Sequence, residues 1–495
     1  MKRILSLPTE LIGYIFYYLD YRDLLSCTQV CSNFNTLIQG TSPLKYKIGL
    51  AIRGKKDGPR KTAMSSAGRL ARLDKHTSAW KNLKWSREIT IPMEDGTLWE
   101  IFGGVLVQST NDNRLKFWQL PSDLRGIEEK IWTLGPDFGF TVADVAMDPL
   151  QDLLVLIDGI NAATSEFCVH MRTLSAGTPH PLSQPKVLHC PYEDEFDGSY
   201  CIQIFGDLVA VLFTPISSEE NLLMVWEWKT GKLLLDSVRS DLQSFSLLSN
   251  DCIIIGLVDQ DILPLLVVMD LGLQVTHCLP YPPLRDHTSS LHCLQIRADP
   301  GPLGEVDNTV PFYQDNQDFI VVVTMMYTVN NTTENVIHFM SSKYLISLVK
   351  SPVDQPSGLY AWMLRHTRMY ITPSSEPSYV WVCHVFGTRF VIIERAPNGN
   401  HRSAVRIYDF NQSAIRRDAQ MSANSGGSGR IESTTNAIAA DNPYGEDITT
   451  GLPYWTNVAS LEGVLACDQD CQMMCSEDNI VIVDPELRKY TILVF

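Results

Sequence analysis

Apolar residues in the first forty positions recur with helical spacing. Leu11, Ile15 and Leu19 follow one another at every fourth position, so they form one apolar stripe along a helix. Two further short helices are predicted behind it from the same spacing and from polar capping residues. The pattern therefore predicts a three-helix domain over residues 1–40.

Three helices of this length cannot bury all of their apolar surface against one another. Part of that surface is therefore expected to stay exposed, as it does where a protein docks onto a partner. An ordinary helical cap that packs onto the rest of the chain would produce the same pattern. The residues alone leave both interpretations open.

Residues 41–85 keep the helical pattern and are rich in lysine and arginine. Two helices are predicted, over Lys45–Arg53 and Ser65–Leu83, with a break at Gly54–Pro59. The basic side chains either bind an anionic partner or form a solvated face that complements an acidic body. We favour the second interpretation for this basic helical linker.

After Trp85 the periodicity becomes strand-like, in a recurring unit of an alternating strand, a turn, an apolar run and a third strand. The turn-plus-run elements are Gly103–Val107, Asp148–Ile157, Gly206–Phe213, Asn250–Gly256, Asn316–Val323, Gly387–Ile393 and Glu462–Ala466. Seven such units without alternating helices predict a seven-bladed β-propeller over residues 86–495. The fold class is then α plus all-β multidomain, and a pair of β-sandwiches is the alternative to the propeller.

Two segments of the body depart from the repeat. The last unit ends at Phe495 without an outer strand, so Glu88–Pro92 are predicted to supply that strand and close the ring. Residues 414–449 are mostly small and polar, and they are predicted to form a disordered insertion.

Charge divides the chain into a basic head and an acidic body. The whole chain has 40 basic and 56 acidic residues and a net charge of −16, while its first 87 residues carry 16 Lys and Arg against five Asp and Glu. The head is therefore at +11 and the remainder at −27. Binding of nucleic acid by the body is not expected, because phosphates require the opposite sign.

The chain is expected to be intracellular, in the cytoplasm and/or the nucleus. Its most apolar stretches are too short or too interrupted to span a membrane, so no membrane contact is expected. The apolar run at the N-terminus is cut at once by Pro8 and Glu10, unlike a secretory signal. The twelve scattered cysteines are then expected to remain thiols.

Signatures of catalysis and metal binding are weak. Cys467, Cys471 and Cys475 have neither the spacing of zinc ligands nor a nearby histidine. The acidic segment Glu193–Gly198 begins like a calcium loop, but Ile204 stands where the loop needs a glutamate. The histidines are dispersed, so we predict no catalytic residue, no cofactor and no metal, and a chain that is not an enzyme.

One string near the N-terminus resembles the F-box motif at each anchor position. It reads Leu7-Pro8-x-Glu10-Leu11-x-x-x-Ile15-Phe16-x-x-Leu19, then Asp23-Leu24-Leu25 and Val30-Cys31-x-x-Phe34. The family usually has basic residues where Ser32 and Asn33 stand here. The resemblance implies that the Skp-type adaptor of cullin ubiquitin ligases is contacted by Leu7, Pro8, Leu11, Ile15, Leu24, Leu25, Val30 and Cys31. The linker is similar to that of a group of F-box proteins from mushroom-forming fungi.

The resemblance implies a substrate-recognition subunit of an SCF-type cullin ubiquitin ligase. The F-box would bind the Skp-type adaptor, and through it a cullin, while the propeller binds an unknown target protein for ubiquitin-dependent degradation. The alternative is an F-box scaffold that acts outside a ligase. Converging polar residues in the propeller channel would instead point to an enzyme. Target binding is expected in the loops Tyr192–Tyr200, Pro280–His287, Asp299–Asp315 and Ser351–Ser357.

Overall fold

A computed structural model of the chain describes the residues between short gaps. The gaps are residues 1–3, 5–6, 60–63, 159–165, 192–197, 217–218, 260–262, 285–289, 304–309, 330–331, 351–359, 374–383, 396–402, 422–428, 439–442, 445–446 and 465–470. Much of the four loops expected to bind a target lies in these gaps, outside the described residues. Within the described residues, no helix is both long and apolar enough to cross a membrane.

The N-terminal part of the chain is helical. Asp20 begins the second helix by accepting hydrogen bonds from the backbone N–H groups of Arg22 and Asp23, and Ser65 caps the fifth helix in the same way. The elements up to the propeller are α1 (Thr9–Tyr18), α2 (Tyr21–Val30), α3 (Ser32–Gly40), α4 (Ser42–Ile52), β1 (Lys55–Asp57), α5 (Ser66–Asn82) and β2 (Arg87–Pro92).

Most of the remaining strands, together with β2, form seven antiparallel sheets, and each of these sheets is a blade. The strands of each blade are given from the inner to the outer edge. The first blade consists of β3 (Trp99–Phe102), β4 (Val105–Ser109), β5 (Leu115–Gln119) and β6 (Lys130–Leu134). The second consists of β7 (Val142–Asp148), β8 (Leu153–Asp158), β9 (Glu166–Thr173) and β10 (Val187–Pro191). The third consists of β11 (Gly198–Phe205), β12 (Leu208–Pro215), β13 (Asn221–Glu227) and β14 (Lys232–Arg239).

The fourth to sixth blades follow in chain order. The fourth blade consists of β15 (Leu242–Ser249), β16 (Cys252–Val258), β17 (Pro264–Asp270) and β18 (Thr276–Pro280). The fifth consists of β19 (Ser290–Arg297), β21 (Ile320–Val329), β22 (Thr332–Ser341) and β23 (Thr367–Pro373), while β20 (Phe312–Gln314) pairs with β1. The sixth consists of β24 (Val385–Phe386), β25 (Arg389–Arg395), β26 (Ser403–Asp409) and β30 (Tyr454–Ser460), with β27 (Arg430–Glu432) at its edge.

The seventh blade closes the ring as predicted. It combines β31 (Gln472–Cys475), β32 (Asn479–Asp484) and β33 (Lys489–Val494) with β2, whose residues run antiparallel to β33 from Arg87 opposite Val494 to Pro92 opposite Lys489. The strand predicted at Glu88–Pro92 is therefore confirmed. The chain is a seven-bladed propeller, and the alternative of two β-sandwiches is wrong.

Burial explains why the apolar runs mark the second strand of a blade. The second strands β8 and β12 are buried at nearly every position, because each lies between two neighbouring blades. Gly206 makes the turn before β12 at a φ of +57°, where an added Cβ would lie 2.2 Å from Asn250 Oδ1. Six of the seven predicted runs overlap these second strands. The seventh run, Glu462–Ala466, lies partly outside the described residues, and the buried second strand of the last blade is β32 instead.

The predicted disorder of residues 414–449 is also wrong for its described part. Gln412–Met421 form a helix, α8, in which Ile415 is buried, and Asn411 caps its first turn. Asn436–Ile438 and Ile448–Thr450 pair as β28 and β29. Two apolar residues of this segment, Tyr444 and Ile448, belong to the largest buried apolar cluster of the propeller. The helices α6 (Ser342–Lys350) and α7 (Met363–His366) lie in the fifth blade.

Closure of the ring gives a first prediction. Ile91 in β2 is buried between blades, whereas Thr90 beside it is exposed. Replacing Ile91 with alanine removes packed methyl groups, so we expect it to lower the free energy of unfolding by about 2–4 kcal/mol. Thr90→Ala is the matched control in the same strand. Urea unfolding of the two variants measures the difference, and equal midpoints would contradict a stabilising role for β2.

Candidate functional sites: an exposed helical surface and a central cavity

The first four helices enclose a small apolar core of their own. It is formed by Ile12, Phe16, Leu24, Phe34, Ile38 and Leu44. The rings of Phe16 and Phe34 meet edge to face with centroids 5.0 Å apart. Lys47 of α4 donates hydrogen bonds to the carbonyls of Tyr17 and Leu19 at 3.0 and 2.6 Å, which closes the C-terminal end of α1.

The outer face of these helices leaves large apolar side chains in solvent. This helical apolar surface consists of Leu7, Leu11, Tyr14, Ile15, Tyr18, Leu25 and Val30. Leu11 is 51% exposed and Val30 is 68% exposed. The members on α1 follow helical spacing and form one stripe, with Tyr14 and Tyr18 joined by a hydroxyl–hydroxyl hydrogen bond of 2.8 Å. Such clustered exposure is typical of a surface that a partner covers.

The eight residues implied by the F-box resemblance fall into three groups. Those at the surface are Leu7, Pro8, Leu11, Ile15, Leu25 and Val30. Cys31 is half-buried, and Leu24 is completely buried in the helical core. Leu24 faces the interior in this structure, and its assignment to the contact stays a prediction. Tyr14 and Tyr18 were missed, although their spacing of four residues beside Leu11 and Ile15 was visible in the sequence.

A buried ion cluster holds the linker against the propeller. Lys55 Nζ lies 2.8 Å from Glu477 Oε1, and Arg125 Nη1 lies 2.9 Å from Glu477 Oε2 and 2.6 Å from Asp478 Oδ2. His76 Nε2 lies 3.0 Å from Asp478 Oδ1. The linker thus contributes Lys55 and His76, the first blade contributes Arg125, and the seventh blade contributes both carboxylates. We call these five residues the linker ion cluster.

Electrostatics in the linker ion cluster keep both carboxylates ionised. Burial alone would raise the pKa of Asp478, but the ion pair with Arg125 and the hydrogen bond with His76 outweigh it and lower that pKa. Burial also opposes ionisation of Glu477, whose pKa is nevertheless lowered by Arg125 and Lys55. Burial lowers the pKa of His76, although the hydrogen bond and the charge of Asp478 act to raise it. The imidazole is therefore neutral at neutral pH.

Aromatic stacking fixes the end of the linker as well. The indole of Trp80 stacks on the C-terminal Phe495 with centroids 4.0 Å apart, and the Arg389 guanidinium lies 3.8 Å from the Trp80 ring centroid. Tyr46 in α4 donates a buried hydrogen bond of 2.6 Å to the Pro311 carbonyl. The helices of the linker are therefore packed directly onto the propeller.

Basic residues of the linker are paired with acidic residues of the body. Besides Lys55, Lys56 pairs with Asp315 at 3.1 Å and Lys81 pairs with Asp418. These three pairs are of the kind expected if the basic face complements the acidic body, and that interpretation stays a prediction.

A cavity of about 420 Å³ opens at the propeller centre. The first strands of the first five blades line it, and its polar walls include Glu100, Asp144, Gln203, Gln295, Arg297 and Asp299. Burial raises the pKa of Asp144 to about 7 and that of Asp299 to about 8. The negative charge of Glu100 also raises both pKa values. The cavity therefore holds carboxyl groups that change charge around neutral pH.

Because of these carboxyl groups, we expect the free energy of unfolding of the protein to depend on pH. A folded-state pKa above the unfolded value means that the folded protein holds a proton which the unfolded chain has lost, so this contribution to stability falls as pH rises from about 4 to about 8. Asp299→Asn removes the titration and keeps an acceptor for the Gly301 N–H. We expect it to gain on the order of 2 kcal/mol over wild type between pH 5 and pH 8.

Urea unfolding at pH 5, 6, 7 and 8 measures this gain. Asp123→Asn, at an exposed position, is the control, and its difference from wild type should stay constant across these values. A constant difference for Asp299→Asn as well would show that Asp299 is ionised throughout.

The wall of the cavity also carries a histidine, His292. His292 Nε2 lies 3.2 Å from Ser290 Oγ and 2.6 Å from Thr328 Oγ1. In the part of the chain that the structure describes, no carboxylate is seen to orient this imidazole. Carboxyl groups with raised pKa are nevertheless the kind that serve as general acids, so the absence of catalysis stays a prediction.

Comparison with known proteins agrees with the helical surface. A protein-family model described as F-box-like matches residues 4–48. The search of curated protein sequences gave no match. The chain thus carries an F-box-like domain at its N-terminus, and a seven-bladed β-propeller follows it.

Several solved structures resemble the chain only remotely. The tricorn protease matches with a TM-score of 0.35 and 8% identity, over 82% of this chain and 34% of the protease. Oligopeptidase B from Leishmania major matches with a TM-score of 0.26 and 11% identity, over 67% of this chain and 46% of that one. An oligogalacturonate lyase in complex with manganese matches with a TM-score of 0.34 and 9% identity, over 83% and 98%. The chain spans less than half the length of the first two, and at these scores the likenesses carry no argument about activity.

Proposed function

We propose that this chain is the substrate-recognition subunit of an SCF-type cullin ubiquitin ligase. The observation that carries the proposal is the helical apolar surface, which lies on the part of the chain that matches an F-box-like domain. Six of the eight residues that the family would use against the Skp-type adaptor are exposed there. Burial of these side chains by an adaptor would remove apolar surface from water and drive the association.

The packing of the linker against the propeller supports the same role. A ligase receptor accelerates ubiquitin transfer by holding its target near the charged carrier enzyme, and this effect depends on a fixed geometry. The linker ion cluster and the stack of Trp80 on Phe495 fix the propeller relative to the linker helices. A target bound on the propeller would therefore be held at a constant distance from the adaptor.

The propeller supplies the target-binding part in this proposal. Its central cavity combines carboxylates with Arg297 and side-chain amides, which suits recognition of polar or charged groups on a target. The chain itself would make and break no bonds, and it would act in the cytoplasm and/or the nucleus. The similarity of the linker to proteins from mushroom-forming fungi stays a prediction.

Reconstitution with purified components tests the proposal against the scaffold alternative. The chain is mixed with the Skp-type adaptor alone, and then with the adaptor and a cullin, and complexes are separated by size-exclusion chromatography. A stoichiometric complex of all three supports the receptor role. A complex with the adaptor that excludes the cullin would favour a scaffold acting outside a ligase. Absence of both complexes would refute the proposal.

A further inference from the structure

Three potential metal ligands meet on one face of the second blade. Cys168 in β9 stands directly opposite His189 in β10. Glu166 precedes Cys168 by two residues, and alternate residues of a strand point to the same side of the sheet. The carboxylate, the thiol and the imidazole therefore project together, although 21 residues separate the cysteine from the histidine.

Distances between the donor atoms suit a tetrahedral metal ion. Cys168 Sγ lies 3.5 Å from His189 Nδ1, which lies 3.2 Å from Glu166 Oε1. All three donor atoms are within 4.8 Å of one another. Zinc bound at 2.0–2.3 Å with tetrahedral angles places neighbouring ligand atoms about 3.3–3.7 Å apart. The ligands would need only small movements to surround an ion.

From this geometry we infer that Glu166, Cys168 and His189 bind a divalent transition-metal ion, with Zn²⁺ as the best fit. A thiolate and an imidazole select zinc over magnesium and calcium, which prefer oxygen ligands. Three protein ligands leave a fourth position for water, as in zinc sites that are open to solvent. Glu166 and Cys168 are half-buried and His189 is exposed, so an ion can enter from solvent.

The neighbouring residues support such a site by ordering the strand beneath it. Asp158 accepts a hydrogen bond of 2.6 Å from the backbone N–H of Cys168 through Oδ1. Its second oxygen, Oδ2, lies 3.1 Å from His170 Nε2, and the His170 ring stacks on Phe140 with centroids 3.9 Å apart. These contacts hold the cysteine in place and add negative charge near the proposed cation.

Titration of the metal-free full-length chain with Co²⁺ and Zn²⁺ tests this inference. We expect Co²⁺ to produce a thiolate-to-metal absorption band and Zn²⁺ to displace it at one ion per chain. Cys168→Ser should abolish the band, and His189→Ala should weaken binding at least about 100-fold, since even loss of a partner outside the ligand set costs 10–100-fold. His189 is exposed, so its replacement is not expected to disturb folding.

Cys278→Ser supplies the matched control. Cys278 is an exposed cysteine in β18, the outer strand of the fourth blade, which corresponds to β10 in the second. This variant should keep the band, the stoichiometry and the affinity of wild type. The inference is overturned if wild type shows no thiolate band, or if Cys168→Ser and His189→Ala bind the metal as tightly as Cys278→Ser does. Neither result would bear on adaptor binding, which is proposed for the N-terminal helices and not for the second blade.

Discussion

Replacing Leu11 and Ile15 together with alanine is expected to weaken binding of the Skp-type adaptor at least about 100-fold, equivalent to about 3 kcal/mol. Both side chains lie on the exposed stripe of α1, at 51% and 41% exposure. Apolar anchors at the centre of an interface commonly contribute more than about 1 kcal/mol each when they become fully covered. The dissociation constant from calorimetric titration of the purified chain with the adaptor measures the effect.

Two further variants separate binding from stability. Leu273→Ala removes an exposed leucine of the fourth blade, at 70% exposure, and should bind the adaptor like wild type. Leu24→Ala instead opens a void in the helical core, so it should lower the free energy of unfolding of this domain by about 2–5 kcal/mol. Unchanged affinity of the Leu11→Ala/Ile15→Ala variant would show that the helical apolar surface is not the docking surface.

The second large effect is expected from Arg125→Met in the linker ion cluster. The change leaves the buried carboxylates of Glu477 and Asp478 without their shared arginine, and loss of one partner from a buried ion cluster costs about 3–5 kcal/mol. Urea unfolding at pH 7 measures the loss. Arg114→Met, which breaks an exposed pair with Asp112 in the same blade, should cost no more than about 1 kcal/mol.

The pH dependence of this variant gives an independent check. The pKa values of Glu477 and Asp478 are lowered in the folded wild type, so their contribution to stability is present at neutral pH and is lost as pH falls below about 4. Without Arg125 both pKa values should rise, and the wild type and the variant should converge in stability on acidification. Equal losses for Arg125→Met and Arg114→Met would contradict the role of the linker ion cluster.

Local patterns predicted the elements better than the contacts between them. Helical spacing located α1, and apolar runs located the second strands of six blades, because burial between neighbours demands continuous apolar sequence. The missing outer strand of the last unit predicted the closure by β2. The seventh run, Glu462–Ala466, did not locate a second strand, because the buried strand of the last blade is β32 at Asn479–Asp484.

Long-range side-chain contacts left no periodic trace in the sequence. Arg125 and Asp478 are 353 residues apart and His76 and Asp478 are 402 apart, so only the closed ring brings them together. For the same reason Cys168 and His189 looked unrelated among dispersed histidines. The burial of Leu24 was hidden too, because a motif shared by a family does not say which of its apolar residues face inward.

The most direct test of the central claim is the co-elution of the full-length wild-type chain with the purified Skp-type adaptor. The account predicts a one-to-one complex that persists through size-exclusion chromatography. If the chain elutes alone while folded and soluble, the exposed helical residues do not bind this adaptor, and the role as a ligase receptor is contradicted.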